Sequence, residues 1–152
     1  MAGPDAARAS VAKVHGDLTA RDRVKPWEIA EDGAMSLAAH IHRFSAAGMQ
    51  ILAAIGMTAA YMHERRRGFS TFELDLTQVG DAYVGEMIDV RTSLSHLGNS
   101  SLRFVHRMIA PRGREIARLV QSGVHLDMDA RRSAPIPEDL RVTISQRLVQ
   151  EE

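Results

Sequence analysis

The stretch PWEIAEDGAMSLAAHIHRF, Pro26 to Phe44, gathers residue types that can do chemistry. Glu28, Glu31 and Asp32 are carboxylates able to orient or deprotonate a water. Asp32-Gly33 is a turn pair, and Ser36 stands where a helix would begin. His40, Arg43 and Gln50 then form the only polar line along an apolar run, while His42 falls on another side. The chemistry open to this set is attack of water on a bound carbonyl. Backbone N–H groups of Met35, Ser36 and Leu37 at the helix start would hold the oxyanion, each worth about 3–4 kcal/mol. Asp32, Glu28 or His40 would handle the water. Each residue also has a plainer reading, and the plainer ones carry more weight. The acids would be solvated turn residues, His40 would bond a backbone carbonyl, and Arg43 would pair with a sheet acid such as Glu73 or Asp75.

The pattern behind these residues is a helix followed by strands. From Ser36 the apolar residues Leu37, Ile41, Phe44, Ile51 or Leu52, and Ile55 recur on one side, and alanines fill most other places. A helix this apolar is expected to be wrapped by something, with Ser36 as N-cap and a continuation towards His63. Ahead of it, Asp22–Trp27 reads as a short strand stopped by Pro26. After Arg65-Arg66-Arg67-Gly68 the period changes to two. Phe72, Leu74 and Leu76 alternate with polar residues, as do Ile88, Val90, Thr92 and Leu94. A strand follows over Ser101–Ile109, and another over Ile116–Asp127 with Val120, Ser122, Val124 and Leu126 on one face. Val142–Ile144 adds a short edge or tail element. The short turns between strands imply an antiparallel meander that curls around the single helix. The architecture is therefore α+β, one long central helix wrapped by a curled antiparallel sheet. The sheet's second face stays mostly polar, and its edges predict a homodimer or homotetramer that continues the sheet.

Bulk properties narrow the function. The 152 residues suffice for one domain, read as 19–152 after a small, polar, poorly ordered segment over 1–18. Nineteen basic and nineteen acidic residues cancel, which argues against a nucleic-acid or membrane-surface partner. With no cysteine there is no disulfide or thiolate chemistry, and the seven histidines show no metal-ligand spacing. No apolar run has signal-peptide or membrane-span length, so a cytoplasmic location is expected.

Several short motifs then fall in a familiar order. Val24-Lys25-Pro26, Gly33-Ala34-Met35-Ser36-Leu37, His40 and Ile55-Gly56 come first. Ala82-Tyr83-Val84-Gly85-Glu86-Met87-Ile88-Asp89-Val90, Leu97-Gly98-Asn99-Ser100-Ser101 and Arg131-Arg132-Ser133-Ala134-Pro135-Ile136-Pro137 follow. From Val24 to Ile144 the chain resembles the hotdog-fold acyl-CoA thioesterases of the 4-hydroxybenzoyl-CoA thioesterase-like branch. That branch carries V-x-P, an acid three residues before Gly-His-x-Asn-Asn, a strand beginning P-x-x-x-G-D-x-I-x-V, and a closing R-x-x-P-I-P. Here the acid position is Ala30, the His is Ala34, and the two Asn are Ser36 and Leu37.

The resemblance implies a hotdog domain hydrolysing an acyl-CoA or acyl-carrier thioester, with coenzyme A entering only as part of the substrate and no other cofactor. The candidate catalytic set is Asp32, His40, Glu28 and Ser36, with Gly33, Met35 and Arg43 at the oxyanion and substrate positions. Asn99, Ser100, Ser101, Arg103, Arg131 and Arg132 would hold the CoA nucleotide, because family members bind it near the corresponding turns. Two other readings stay open: an acyl-CoA binder that has lost hydrolysis, favoured by Ala30, and a hydratase or dehydratase using His40.

Overall fold

The structure, a computed structural model, describes residues 16–149. Its elements in chain order are β1 (Asp17–Arg23), a 3-10 turn (Pro26–Glu28), α1 (Leu37–Ala54), α2 (Ala59–Glu64), β2 (Arg67–Gln78), β3 (Met87–Leu97) and β4 (Ser101–Ala110). A second 3-10 turn (Pro111–Gly113), β5 (Arg114–Asp127), the two-residue β6 (Arg132–Ser133) and α3 (Glu138–Ser145) complete the described chain. Of the expected irregular segment, residues 1–15 lie outside the described residues, and Asp17 and Leu18 already belong to β1.

All strands join one antiparallel sheet in the order β1-β3-β4-β5-β2, with β6 on β5. The sheet curls around α1, as expected from the pattern, and this is the hotdog fold that the resemblance implies. Period-two alternation carries β3 and β4, whose buried residues Ile88, Val90, Leu94, Leu102, Phe104 and Met108 face the helix side. Two apolar clusters result. One joins Met35 and the first half of α1 (Ala39, Phe44) to Val24, Ala82, Ile88 and Met108. The other joins its end (Ile51, Ile55) to Tyr61, Leu94, Leu102, Phe104, Ile136, Leu140 and Ile144.

Three local expectations are corrected. The first strand ends at Arg23, and Pro26–Glu28 forms a 3-10 turn, because Pro26 fits the first position of a helical turn. The long helix stops at Ala54. Gly56 takes a positive φ of 98°, which ends the helix, and Thr58 caps a separate α2. Val142–Ile144 belongs to α3, whose Leu140 and Ile144 plug the end of the second cluster. On β5, Val120, Ser122, Val124 and Leu126 share one face as expected, and it is the outer one. Gln121, on the opposite face of that strand, meets α1 at Gly48.

The outer sheet face is charged as expected of an unpaired antiparallel face. Arg91, Arg107 and Arg118 stand directly opposite one another across β3, β4 and β5.

Candidate active site

The turn from Ile29 to Ser36 is built almost entirely from backbone hydrogen bonds. Gly33 N–H donates to the Ala30 carbonyl at 3.0 Å, and Ala30 N–H to that of Ala34 at 2.8 Å. Gly33 has a positive φ of 85°, a conformation that favours glycine. Asp32 Oδ1 accepts from the Ala34 N–H at 3.0 Å, so this exposed acid is first a turn-maker. Met35 N–H donates to Ala82 and Ser36 N–H to Glu28, both at 2.8 Å. Ser36 is the N-cap, its Oγ accepting from Ala39 N–H. These bonds use the N–H groups of residues 33 to 36, 39 and 40. Of residues 33 to 40, Leu37 and Ala38 are the two whose N–H groups have no acceptor among the described residues. Of the three backbone donors expected from the sequence, Met35 and Ser36 are therefore engaged, and the open pair at the positive end of the α1 dipole is Leu37 and Ala38.

Glu28 and Arg43 form a two-pronged ion pair: Nε donates to Oε2 at 2.9 Å and Nη2 to Oε1 at 2.8 Å. Both side chains are nearly shielded. The guanidinium holds the Glu28 carboxyl below its ordinary value. Arg43 also donates to the Asp22 and Arg23 carbonyls, tying the turn and α1 to β1. The acid that meets Arg43 is thus Glu28 from the turn, and not Glu73 or Asp75 from the sheet.

His40 is fully buried, and its Nδ1 meets the Ser36 carbonyl at 2.8 Å. A carbonyl only accepts, so Nδ1 carries the proton, and Nε2 is left enclosed without a partner. The polar line on α1 splits accordingly: His40 and Arg43 face inward, whereas Gln50 is exposed. The apolar residues Leu37, Ile41 and Met49 of the same helix are at least half exposed.

Two clefts flank α1. One, of about 750 Å³, lies against β1 and is lined by Trp27, Glu28, Ser36, His42 and Arg43 among others. The other, of about 510 Å³, runs between α1 and β2; Ile41, Phe44, Met49, Leu52, Phe69, Leu74, Leu76 and Leu119 make it apolar. Thr71, Gln121 and Ser45 are its polar points. Thr71 and Gln121 were not foreseen as site residues. The available signal was that Gln121 and His106 share the alternation of the buried apolar residues Leu119, Phe104 and Met108 on their strands.

At the far end of α1 the structure brings together the residues expected to bind CoA. Ser100 O accepts from His125 N–H, His125 O from Ala134 N–H, and Asn99 O from Ile136 N–H. The turn carrying Asn99, Ser100 and Ser101 therefore sits beside the segment carrying Arg131 and Arg132. Arg131 is held at a positive φ of 58°, a strained place for a non-glycine residue. Arg103 lies on the outer face, its Nε 3.4 Å from Ser122 Oγ. No group of side chains able to hold a metal ion occurs among the described residues, and no helix is long and apolar enough to cross a membrane.

With this geometry in hand, comparison with known proteins places the chain. Residues 24–144 match the thioesterase-like superfamily, and the chain belongs to that family. Among solved structures it is similar to a hypothetical protein of Thermus thermophilus, with 26% identity over 86% of this chain and 99% of that one, at a TM-score of 0.75. It is similar in fold to a Staphylococcus aureus protein solved in complex with CoA (15% identity, 90% and 89% coverage, TM-score 0.82). A 1,4-dihydroxy-2-naphthoyl-CoA thioesterase from Synechocystis shares the fold as well (12% identity, 84% and 95% coverage, TM-score 0.73). No functionally curated protein matches the chain.

Proposed function

We propose that the chain is an acyl-CoA (or acyl-carrier) thioesterase working as a homodimer or a larger homo-oligomer. The observation that carries this reading is the pair of free N–H groups at the start of α1. With the N–H groups of residues 33 to 36, 39 and 40 engaged, Leu37 and Ala38 remain open at the helix's positive end. Water adds to the thioester carbonyl, its oxygen takes the negative charge against these donors, and collapse expels the thiolate to leave a free acid. Asp32, with Oδ2 not engaged by the turn, is the acid nearest this point in sequence and orients the water. Glu28, committed to Arg43, and His40, enclosed in the core, support the turn and the helix start. No cofactor enters the reaction; CoA comes and goes with the substrate. Relatives of the same fold include one solved with CoA and one named for an aryl-CoA substrate, which favours this ligand class.

A second reading, acyl-CoA binding without hydrolysis, is favoured by Ala30 in the family's acid position and by the engagement of Glu28. A hydratase or dehydratase would need His40 at the ligand, and its burial speaks against that.

Leu37→Pro tests the mechanism cleanly. Leu37 is the first residue of α1, where proline is well tolerated, and Ser36 already has the extended ψ of 157° that a following proline requires. The variant loses one N–H and keeps the helix. Thiol release from acyl-CoA should fall by about 10²–10³ with little change in melting temperature. Unchanged turnover would remove this donor from the mechanism.

A further inference from the structure

The cleft between α1 and β1 holds one of the two open donors, because Ala38 is part of its lining. Ala20 and Ala46 leave it small-sided, and the indole of Trp27, 80% exposed, stands in its wall. β1 and β2 are opposite edges of the sheet, so this cleft does not share the apolar face of α1 that lies along β2.

The charged groups that line it are spent elsewhere, with one exception. Arg21 donates twice to Asp89, Lys25 pairs with Asp22, and Arg43 grips Glu28 with two N–H groups. Hydrogen bonds from Lys25 and Arg43 hold the Asp22 and Glu28 carboxyls below their ordinary values, which makes both poor proton acceptors. Ser36 Oγ is used by the Ala39 N–H. His42 remains: it is exposed, and its ring makes no hydrogen bond among the described residues. It follows Ala38 by four residues, about 6 Å along the axis and on the same side of α1. Helical side chains lean back over the preceding turn, which carries this imidazole towards the open donor.

We infer that His42 accepts the proton of the attacking water and returns it to the departing sulfur. This rests on the thioester reading above, in which Asp32 orients the water, and it supplies the group that takes the proton. Water's oxygen bonds to the thioester carbon as one of its protons passes to a ring nitrogen. The oxyanion on the Leu37 and Ala38 N–H groups collapses, the C–S bond breaks, and sulfur leaves with the electron pair. The imidazolium gives its proton to the thiolate, so the ring ends neutral and the acyl group leaves as the free acid.

The test is steady-state thiol release from short, long and aromatic acyl-CoAs, followed from about pH 5 to about pH 9. It compares the full chain with His42→Gln, His42→Ala and Asp32→Asn, with melting curves to check folding. His42→Gln should lower kcat by about 10²–10⁴-fold at an unchanged melting temperature, and the acid limb of the pH–rate profile should vanish with it. Added imidazole should restore part of the rate to His42→Ala, and Asp32→Asn should keep the acid limb. An unchanged kcat in His42→Gln, or an acid limb that persists there, overturns the inference and leaves the thioesterase reading standing. Loss of that limb in Asp32→Asn alone does the same and makes Asp32 the base. No thiol release by the wild type from any of these compounds sinks both.

Discussion

Glu28 and Arg43 are 15 residues apart, and neither is unusual within its own segment. Paired in near-complete shelter they fix three things at once: the 3-10 turn, the first turns of α1, and the end of β1. Removing one charge leaves the other buried and uncompensated, which typically costs about 3–5 kcal/mol. Glu28→Gln should therefore lower the chemical-denaturation stability by about 3 kcal/mol, while the double variant Glu28→Leu with Arg43→Met recovers most of the loss. If Glu28 were instead a catalytic base, Glu28→Gln would abolish turnover with an unchanged denaturation midpoint. In the sequence, Arg43 is legible as a buried cation in need of an acid, but its partner is not. Period-two strands advertise Glu73 and Asp75, whereas nothing local marks a turn glutamate as folding back onto a helix. The free N–H pair is less legible still. It depends on which backbone donors the turn consumes, and side-chain identities do not encode that.

The elements themselves are far more legible. Alternation locates β3, β4 and β5 to within a few residues at each end, because each has one face in the core. In β2, by contrast, no residue is buried, and a register shift between Thr71 and Glu73 breaks the expected alternation of Phe72 with Leu74 and Leu76. Ser36 marks the start of α1 correctly by its cap chemistry. Its orientation is not legible, because α1 is apolar nearly all round: Ala39, Phe44, Ala47 and Ile51 face the sheet, and Leu37, Ile41 and Met49 face out. Such a helix has two apolar faces, and the periodicity cannot rank them. Two buried histidines on the sheet, His106 on β4 and His125 on β5, give an element-scale prediction. Burial pushes the His106 and His125 imidazoles below their ordinary value, so both are neutral when folded. Below about pH 6.5 the unfolded chain binds protons that the folded chain refuses. Stability contributed by these groups is thus present above that pH and lost as pH falls towards their folded values. The melting temperature should drop between about pH 7.5 and about pH 5.5, and His106→Gln should flatten part of that slope. A melting curve indifferent to pH over this window would mean that the buried imidazoles titrate alike in both states.

At the scale of the molecule, the two halves of the proposed site are far apart within one protomer. The open donors lie at the start of α1, and the turn with Asn99–Ser101 lies at its end, about 27 Å away for an 18-residue helix. A second copy running antiparallel would bring its own turn to this copy's donors. β2 fits that role: it is a 12-residue edge strand whose helix-facing Leu74 is 57% exposed, next to Ile41 and Met49. Leu74→Glu should shift the mass measured by light scattering from an even multiple to a single chain and abolish any turnover with it. A single-chain wild type would end the shared-site reading. A row of side-chain hydrogen bonds under α1, from Thr19 to Thr92, Thr92 to His106, His106 to Gln121 and Gln121 to Thr71, also bears on how the chain finds its fold. Its central bonds close short loops, with His106 only 14 residues from Thr92 and 15 from Gln121. Its outer bonds reach much further, 50 residues from Gln121 to Thr71 and 73 from Thr19 to Thr92. Loop-closure entropy then orders events, with β3, β4 and β5 pairing first and the two edge strands closing later. Disrupting the centre with His106→Ala should chiefly slow refolding, whereas Thr19→Val at the periphery should chiefly quicken unfolding, as stopped-flow kinetics would read directly.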